Sequence, residues 1–297
     1  MHTNVKTALG IFLFFFFGLN ALWNISESYY HRLKTLGDSM PVFSFLNPEL
    51  FALVFVPLVV ATAWRAWSGA SHWSSVWFHS GVPLGLIASS ISLIGVLQNV
   101  STIEQARSLV GESLLAVFYG GVISFIGYSS LNTTYRPKKR DGRSNKTKFF
   151  VCLLNALLIG AGMDYYSGLG AFWDATTICI FLAIASGFLL GNRDESKSFC
   201  QLACEAMVMI SLASVMIALV PYNTYQGYPK LTGPAVAIGI LGPLYGSFII
   251  FQCATFLPER DLRETNFDRI NWHLLEISGL WVLMCFAPKS LLEIFGG

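Results

Sequence analysis

Only a few residues of this chain combine chemical capacity with apolar surroundings. Glu112 sits in "LVGESLLAVFYG", Ser89 in "GLIASSISLIG" and Ser214 in "ISLASVMIALV". A carboxylate held inside a bilayer is costly and marks an ion path. Near a helix end it reaches water or caps the helix instead. Glu112, Glu49, Asp174 and Glu205 all fall near expected helix ends, and Glu112 is the candidate for a proton path. Asn47 and Asp174 each directly precede an apolar run and read as N-caps. The Ser89 and Ser214 hydroxyls could line a pore or bond a carboxylate on a partner. The competing use is a bond to their own helix backbone. His72 and His79 share a helical face in the Trp-rich "SHWSSVWFHSG", where interfacial anchoring competes with metal binding. Cys200 and Cys204 also share a face, in a chain whose six cysteines lie mostly in apolar segments and read as packing residues. There is no phosphate loop, metal spacing or nucleophile motif, so the sequence points to neither an enzyme nor a cofactor.

The elements that would position these residues are membrane helices. Hydrophobic residues make up 54% of the chain and charged residues 12%, against about 25% charged in a soluble domain. Eight segments have the length and apolarity of a span: 7–24, 48–66, 81–99, 110–131, 149–166, 173–191, 202–221 and 233–256. The first lacks a good cleavage site and reads as an uncleaved span. With the N-terminus inside, the inner segments carry fifteen of the nineteen Lys and Arg residues, seven of them in "RPKKRDGRSNKTK". The outer loops carry Arg32, Lys34, Arg107 and Lys230. This asymmetry puts both termini in the cytoplasm. The basic run reads as a topology anchor meeting anionic lipid rather than nucleic acid. Beyond the eighth span, Pro288 interrupts a short apolar stretch, which reads as an interfacial or self-packing helix rather than a ninth span.

Residues 106–120 overlay 232–246 without a gap, ending in Tyr119-Gly120 and Tyr245-Gly246, 126 positions apart. "FLNPELFALVFVPLVVA" (45–61) lies over "FWDATTICIFLAIASGF" (172–188), and Ala88-Ser89 over Ala213-Ser214. The order of these landmarks reads as two copies of one four-helix unit, 1–135 and 149–257, joined by the basic linker 136–148 and followed by a tail, 258–297. An even number of helices per unit makes the copies parallel, unlike the inverted repeats of many transporters. In the second copy Gly239, Gly242 and Gly246 fall at three- and four-residue steps on one face, which lets another helix approach closely. Pro234 falls at the expected first turn, and Pro243 lies mid-helix, where a kink is expected.

"GLIASSISLIGVLQNVSTIEQARSLVGESLLAVFYGGVISFIGY" and "LTGPAVAIGILGPLYGSF" resemble the third and fourth helices of the MotA/TolQ/ExbB proton-channel family, with its Gly-Pro-Ala and Leu-Tyr-Gly landmarks. "MDYYSGLGAFWDATTICIFLAIASGFLLG" is similar to the family's first hairpin, and the tail to its cytoplasmic C-terminal helices. The resemblance implies a ring-forming subunit of the bacterial inner membrane. Such a subunit works with a single-span partner of the MotB/ExbD/TolR kind, whose intramembrane Asp carries a proton or sodium ion. It also implies partner-facing or pore-facing roles for Ser89, Ser214, Glu112, Tyr119, Gly120, Gly239, Gly242, Pro243, Tyr245 and Gly246. The chain departs from the family in three ways. The inner loops near 65–80 and 192–201 are too short for the large domain that pushes on a flagellar rotor. Val117 and Pro243 stand where a Thr is expected. Two fused units also cannot tile a five-membered ring. A non-conducting scaffold derived from the family and a small-solute transporter are the alternatives.

Overall fold

A computed structural model of the protein describes residues 47–68, 73–99, 103–131, 145–191, 199–224, 229–256 and 269–280. The helices are α1 (Pro48–Ser68), α2 (Trp73–Asn99), α3 (Ile103–Ser129), α4 (Asn145–Ser167), α5 (Ala175–Gly191), α6 (Phe199–Thr224) and α7 (Pro229–Phe256). Residues 269–280 form α8, and a 3-10 turn, Leu169–Phe172, joins α4 to α5. Among the described residues there is no strand. Six helical stretches are long and apolar enough to cross a bilayer, so the chain is a multi-pass membrane protein, all-helical among its described residues. The expected span 7–24, most of the linker 136–148 and all of the tail except 269–280 lie outside the described residues.

Several helices begin earlier than composition suggests. The apolar stretch expected at 81–99 is the later part of α2, whose first turns carry Trp73, Ser74, Ser75 and His79. That segment was expected as an interfacial loop, but Ser74, Ser75, His79 and Ser80 are buried. The reason is position. α2 is the central helix, 94% of its apolar stretch is covered, and its polar residues face other helices rather than head groups. His72 lies outside the described residues. α7 begins at Pro229, so Pro234 lies inside the helix rather than at its first turn, and the helix runs unbroken through Pro234 and Pro243. The two expected N-caps hold. Asn47 Oδ1 accepts from the Glu49 and Leu50 amides, each at 3.1 Å. Asp174 Oδ2 accepts from the Thr177 amide at 2.7 Å and from the Thr177 hydroxyl.

The most extensive contacts join α2 to α3 and α6 to α7, two hairpins of adjacent helices. α2 then packs on α7, and α1 and α4 flank it. In lipid there is little hydrophobic force between helices, so close backbone approach must supply the contact energy. Gly120 of α3 sits against the Gly81 carbonyl, with the Gly85 Cα at 2.9 Å from where a Cβ would stand. Gly127 meets Ser74 and Phe78 of α2 in the same way. At the cytoplasmic end predicted from the Lys and Arg distribution, Ser124 Oγ of α3 accepts from the Val82 amide and donates to the Phe78 carbonyl, both at 3.0 Å. Asn271 of α8 donates to the same carbonyl at 3.1 Å. With Ile270, Leu274 and Ile277 buried, α8 packs on the bundle itself; the rest of the apolar stretch, with Pro288, lies outside the described residues.

A methyl group at Gly120 has to displace α2 backbone, whereas one at the adjacent Gly121 meets nothing within 4 Å. Gly120→Ala is expected to cost about 1–3 kcal/mol by overpacking and Gly121→Ala to be near neutral. Thermal unfolding in detergent measures both, and equal losses would contradict this seam.

Candidate functional site

The sequence-predicted residues gather along the two hairpin seams. Tyr119 and Gly120 lie on buried positions of α3, and Gly239, Gly242, Pro243 and Gly246 on buried positions of α7. Tyr245 is half-buried. Ser89 on α2 and Ser214 on α6 are fully covered. Glu112 lies on α3, but its side chain is outside the described residues. The glycine face of α7 is turned to its own hairpin partner. A Cβ at Gly242 would collide with the Ser214 side chain, and one at Gly246 would meet the Ser211 hydroxyl and stand 2.9 Å from the Met207 carbonyl.

The two seams share a set of contacts at one spacing. Gly120 faces the carbonyl of Gly81 and the backbone of Gly85. Gly246 faces the carbonyl of Met207 and the side chain of Ser211. Each of the second set lies 126 positions after its counterpart. Farther along, the Ser92 and Ser113 hydroxyls bond at 2.7 Å, and the positions corresponding to them are Ala218 and Gly239. This spacing differs by one residue from the overlay of Ala88-Ser89 on Ala213-Ser214. By packing, Ser214 is the counterpart of Ala88.

The tyrosines make a second recurring contact. The Asn47 amide donates to the Tyr119 hydroxyl at 3.0 Å. The Tyr245 hydroxyl donates to the Phe172 carbonyl and receives the backbone amide of Asp174. Each tyrosine thus ties the fourth helix of its expected unit to the capped start of the second. Each ring also stands edge-on to a phenylalanine of that helix, Phe51 at 5.8 Å and Phe181 at 6.0 Å. Sequence reading found the tyrosines and the caps separately. It missed that they touch, because no local pattern encodes a contact 72 residues apart.

The chemistry available is that of buried hydroxyls. Ser90 and Ser211 donate to carbonyls one turn back, Leu86 and Met207, each at 2.7 Å. Ser80, Ser89, Ser214 and Ser247 make no such bond among the described residues. An unmade buried bond costs about 1–3 kcal/mol, so a water or polar group that reached one of these hydroxyls would be favoured there. No acidic residue occupies the middle of a span among the described side chains. Glu49 sits at the first turn of α1, 3.2 Å from the Tyr165 hydroxyl and 3.5 Å from that of Tyr166. These groups rim a groove of about 280 Å³ between α1 and α4, lined by Leu53, Pro57 and Gly162. Among the described residues no three His, Cys, Asp or Glu side chains cluster to hold a metal. Cys204 is a buried free thiol. His79 lies within electrostatic reach of the buried Arg65.

No family model, curated protein or solved structure matches the chain.

Tyr119→Phe and Tyr245→Phe each remove one tie to a helix cap, and each is expected to cost about 0.5–1.5 kcal/mol. The ties are in different hairpins, so the double variant should show the sum within about 0.5 kcal/mol. Thermal unfolding of the three variants tests this, and a silent Tyr119→Phe would remove the tie from the account.

Proposed function

We propose that the protein is a tandem pair of MotA-like four-helix units, 1–135 and 149–257, that serves as the ring-forming part of an ion-driven complex in the bacterial inner membrane. Both termini are cytoplasmic in this reading, the basic linker 136–148 meets anionic lipid, and 258–297 is a helical tail. The observation that carries it is the recurrence, 126 positions apart, of a glycine seam facing a carbonyl, together with a tyrosine-to-cap tie in each half whose tyrosines are 126 and whose caps are 127 positions apart. These contacts fall on the landmarks that carry the resemblance. The lack of a mid-span carboxylate among the described residues supports a division of labour. A single-span partner brings the Asp that carries the proton or sodium ion, and this chain brings a rigid wall with buried hydroxyls. Ser89 and Ser214 are the hydroxyls such an Asp would meet as it changes exposure, and Glu112 is the candidate relay at the outer end of α3.

A second reading, a non-conducting scaffold of the same ancestry, has one observation in its favour. Gly120, Gly242 and Gly246 are taken up inside their own hairpins, which leaves those faces closed to a partner helix. Val117 and Pro243, where a Thr is expected, point the same way.

The two readings separate in reconstituted vesicles. The ion-driven reading expects a small membrane protein with an intramembrane Asp to copurify. It also expects ion flux that is lost on Asp-to-Asn change in that partner and reduced by Ser89→Ala or Glu112→Gln. A stable complex with no flux selects the scaffold. A chain that purifies without any partner and conducts nothing contradicts the primary reading.

A further inference from the structure

The groove of about 280 Å³ between α1 and α4 has one polar end and one apolar end. Both helices end at the same level there, since α1 starts at Pro48 and α4 stops at Ser167. One wall runs from Glu49 to Pro57 and the other from Leu158 to Tyr166, eight residue steps on each. Eight steps of helix are about 12 Å, most of one leaflet's share of a hydrocarbon core about 30 Å thick. Glu49, Tyr165 and Tyr166 stand at the mouth, and Leu53, Val56, Pro57, Leu158 and Gly162 line the groove below them. Gly162 lets the Leu53 side chain lie against α4, where a Cβ would collide with it. Small-molecule sites usually hold about 300–1,000 Å³, so this slot takes the upper part of one acyl chain rather than a whole lipid.

An apolar groove in a membrane meets lipid tails in any case. The mouth is what chooses among lipids. The Tyr165 hydroxyl donates to Glu49 Oε1 at 3.2 Å, and the Tyr166 hydroxyl to Oε2 at 3.5 Å. Both oxygens are held by neutral donors, and each keeps a lone pair for another. The described cations of these two helices, Arg65 and Lys148, lie at the opposite ends of α1 and α4. The negative charge therefore stays uncompensated by its own helices, at a level where lipid head groups pass. The two tyrosine rings meet edge to face at 5.4 Å, so they turn two differently directed faces beside the carboxylate, and such faces attract an ammonium. We infer that this groove binds one phospholipid of the ethanolamine kind. Its ammonium donates to Glu49 beside Tyr165 and Tyr166, and one acyl chain lies along Leu53, Val56 and Leu158. In the topology proposed above this end faces outward, so the lipid belongs to the outer leaflet. The inference needs only that the chain spans a membrane, and neither the pairing of units nor ion conduction.

The probe is short-chain phosphatidylethanolamine, compared with phosphatidylglycerol of the same chains, which keeps the phosphate and lacks the amine. Native mass spectrometry of the full chain in detergent counts bound lipid through a titration. One ethanolamine lipid should bind about threefold to tenfold more tightly than its glycerol counterpart, the size expected of an exposed ion pair joined by a cation–π contact. E49Q keeps the volume, removes the charge and should abolish the preference while chain binding persists. Ala52 is exposed on the groove wall, so A52F should fill the slot and weaken both lipids. Asp164 is an exposed acid at the same level that does not line the groove, and D164N should leave the preference intact. Thermal unfolding that matches the parent certifies each variant, and the comparison of the two lipids on the parent chain needs no variant. Phosphoethanolamine without chains should not compete at equal concentration, and if it does the site serves a soluble amine and not a lipid. Equal binding of the two lipids, a preference that survives E49Q, an equal loss with D164N, or no effect of A52F would each overturn the inference. So would a groove filled by residues 7–24 of the same chain, seen as no bound lipid of either kind. Lipid preference without ion flux would leave the inference standing and remove the ion-driven reading, and flux without lipid preference would do the reverse.

Discussion

Everything in this bundle depends on how closely α2 and α3, and α6 and α7, can bring their backbones together. In water, burial of Leu and Ile would hold such hairpins. In lipid the same side chains gain little by leaving the tails, and the balance passes to dispersion contacts between surfaces that fit. A fit of that kind needs small residues where helices cross. Gly81, Gly85 and Gly120 provide it in one hairpin, and Gly242 and Gly246 against Ser211 and Ser214 in the other. The glycine penalty measured in water does not decide matters here, because lipid offers the backbone no alternative partner for its hydrogen bonds.

Polar groups then fix what close packing alone leaves free. A smooth seam can slide or rotate, whereas a hydrogen bond to one backbone amide sets both register and angle. Tyr119 reaches the cap at Asn47, and Tyr245 reaches the backbone around Asp174, so three helices of each expected unit are tied at one end. At the other end Ser124 and Asn271 converge on the Phe78 carbonyl, two turns or less from Pro83. Proline removes a backbone donor in that stretch of α2, and hydroxyl and amide side chains from neighbouring helices bond there. The first unit therefore has a tie at each end, with the packed seam between them.

Composition and periodicity gave the described helices in approximate outline and the two caps, because those are local properties. Asn47 and Asp174 were legible since a capping residue directly precedes its helix. The start of α2 was not. Trp73, Ser75 and His79 have interfacial chemistry, and only the neighbouring helices turn their surroundings into an interior. The destination of the glycine face on α7 was also illegible. Periodicity shows that Gly239, Gly242 and Gly246 share a side, but not whether a neighbour in the same hairpin or a separate subunit lies against it. The one-residue difference between the serine overlay and the packing overlay has a similar cause. Ala-Ser pairs are frequent in membrane helices, so they align by chance more easily than a carbonyl facing a glycine.

The central claim is that one four-helix design occurs twice, with equivalent crossings at positions 126 apart. An electron cryomicroscopy map of the protein in lipid nanodiscs tests it most directly. The account predicts that α1, α2 and α3 superimpose on α5, α6 and α7, with Gly120 against Gly81 where Gly246 lies against Met207, and with both tyrosines at their helix caps. Two halves with different crossing points, or a Tyr245 directed into lipid while Tyr119 holds its cap, would contradict it.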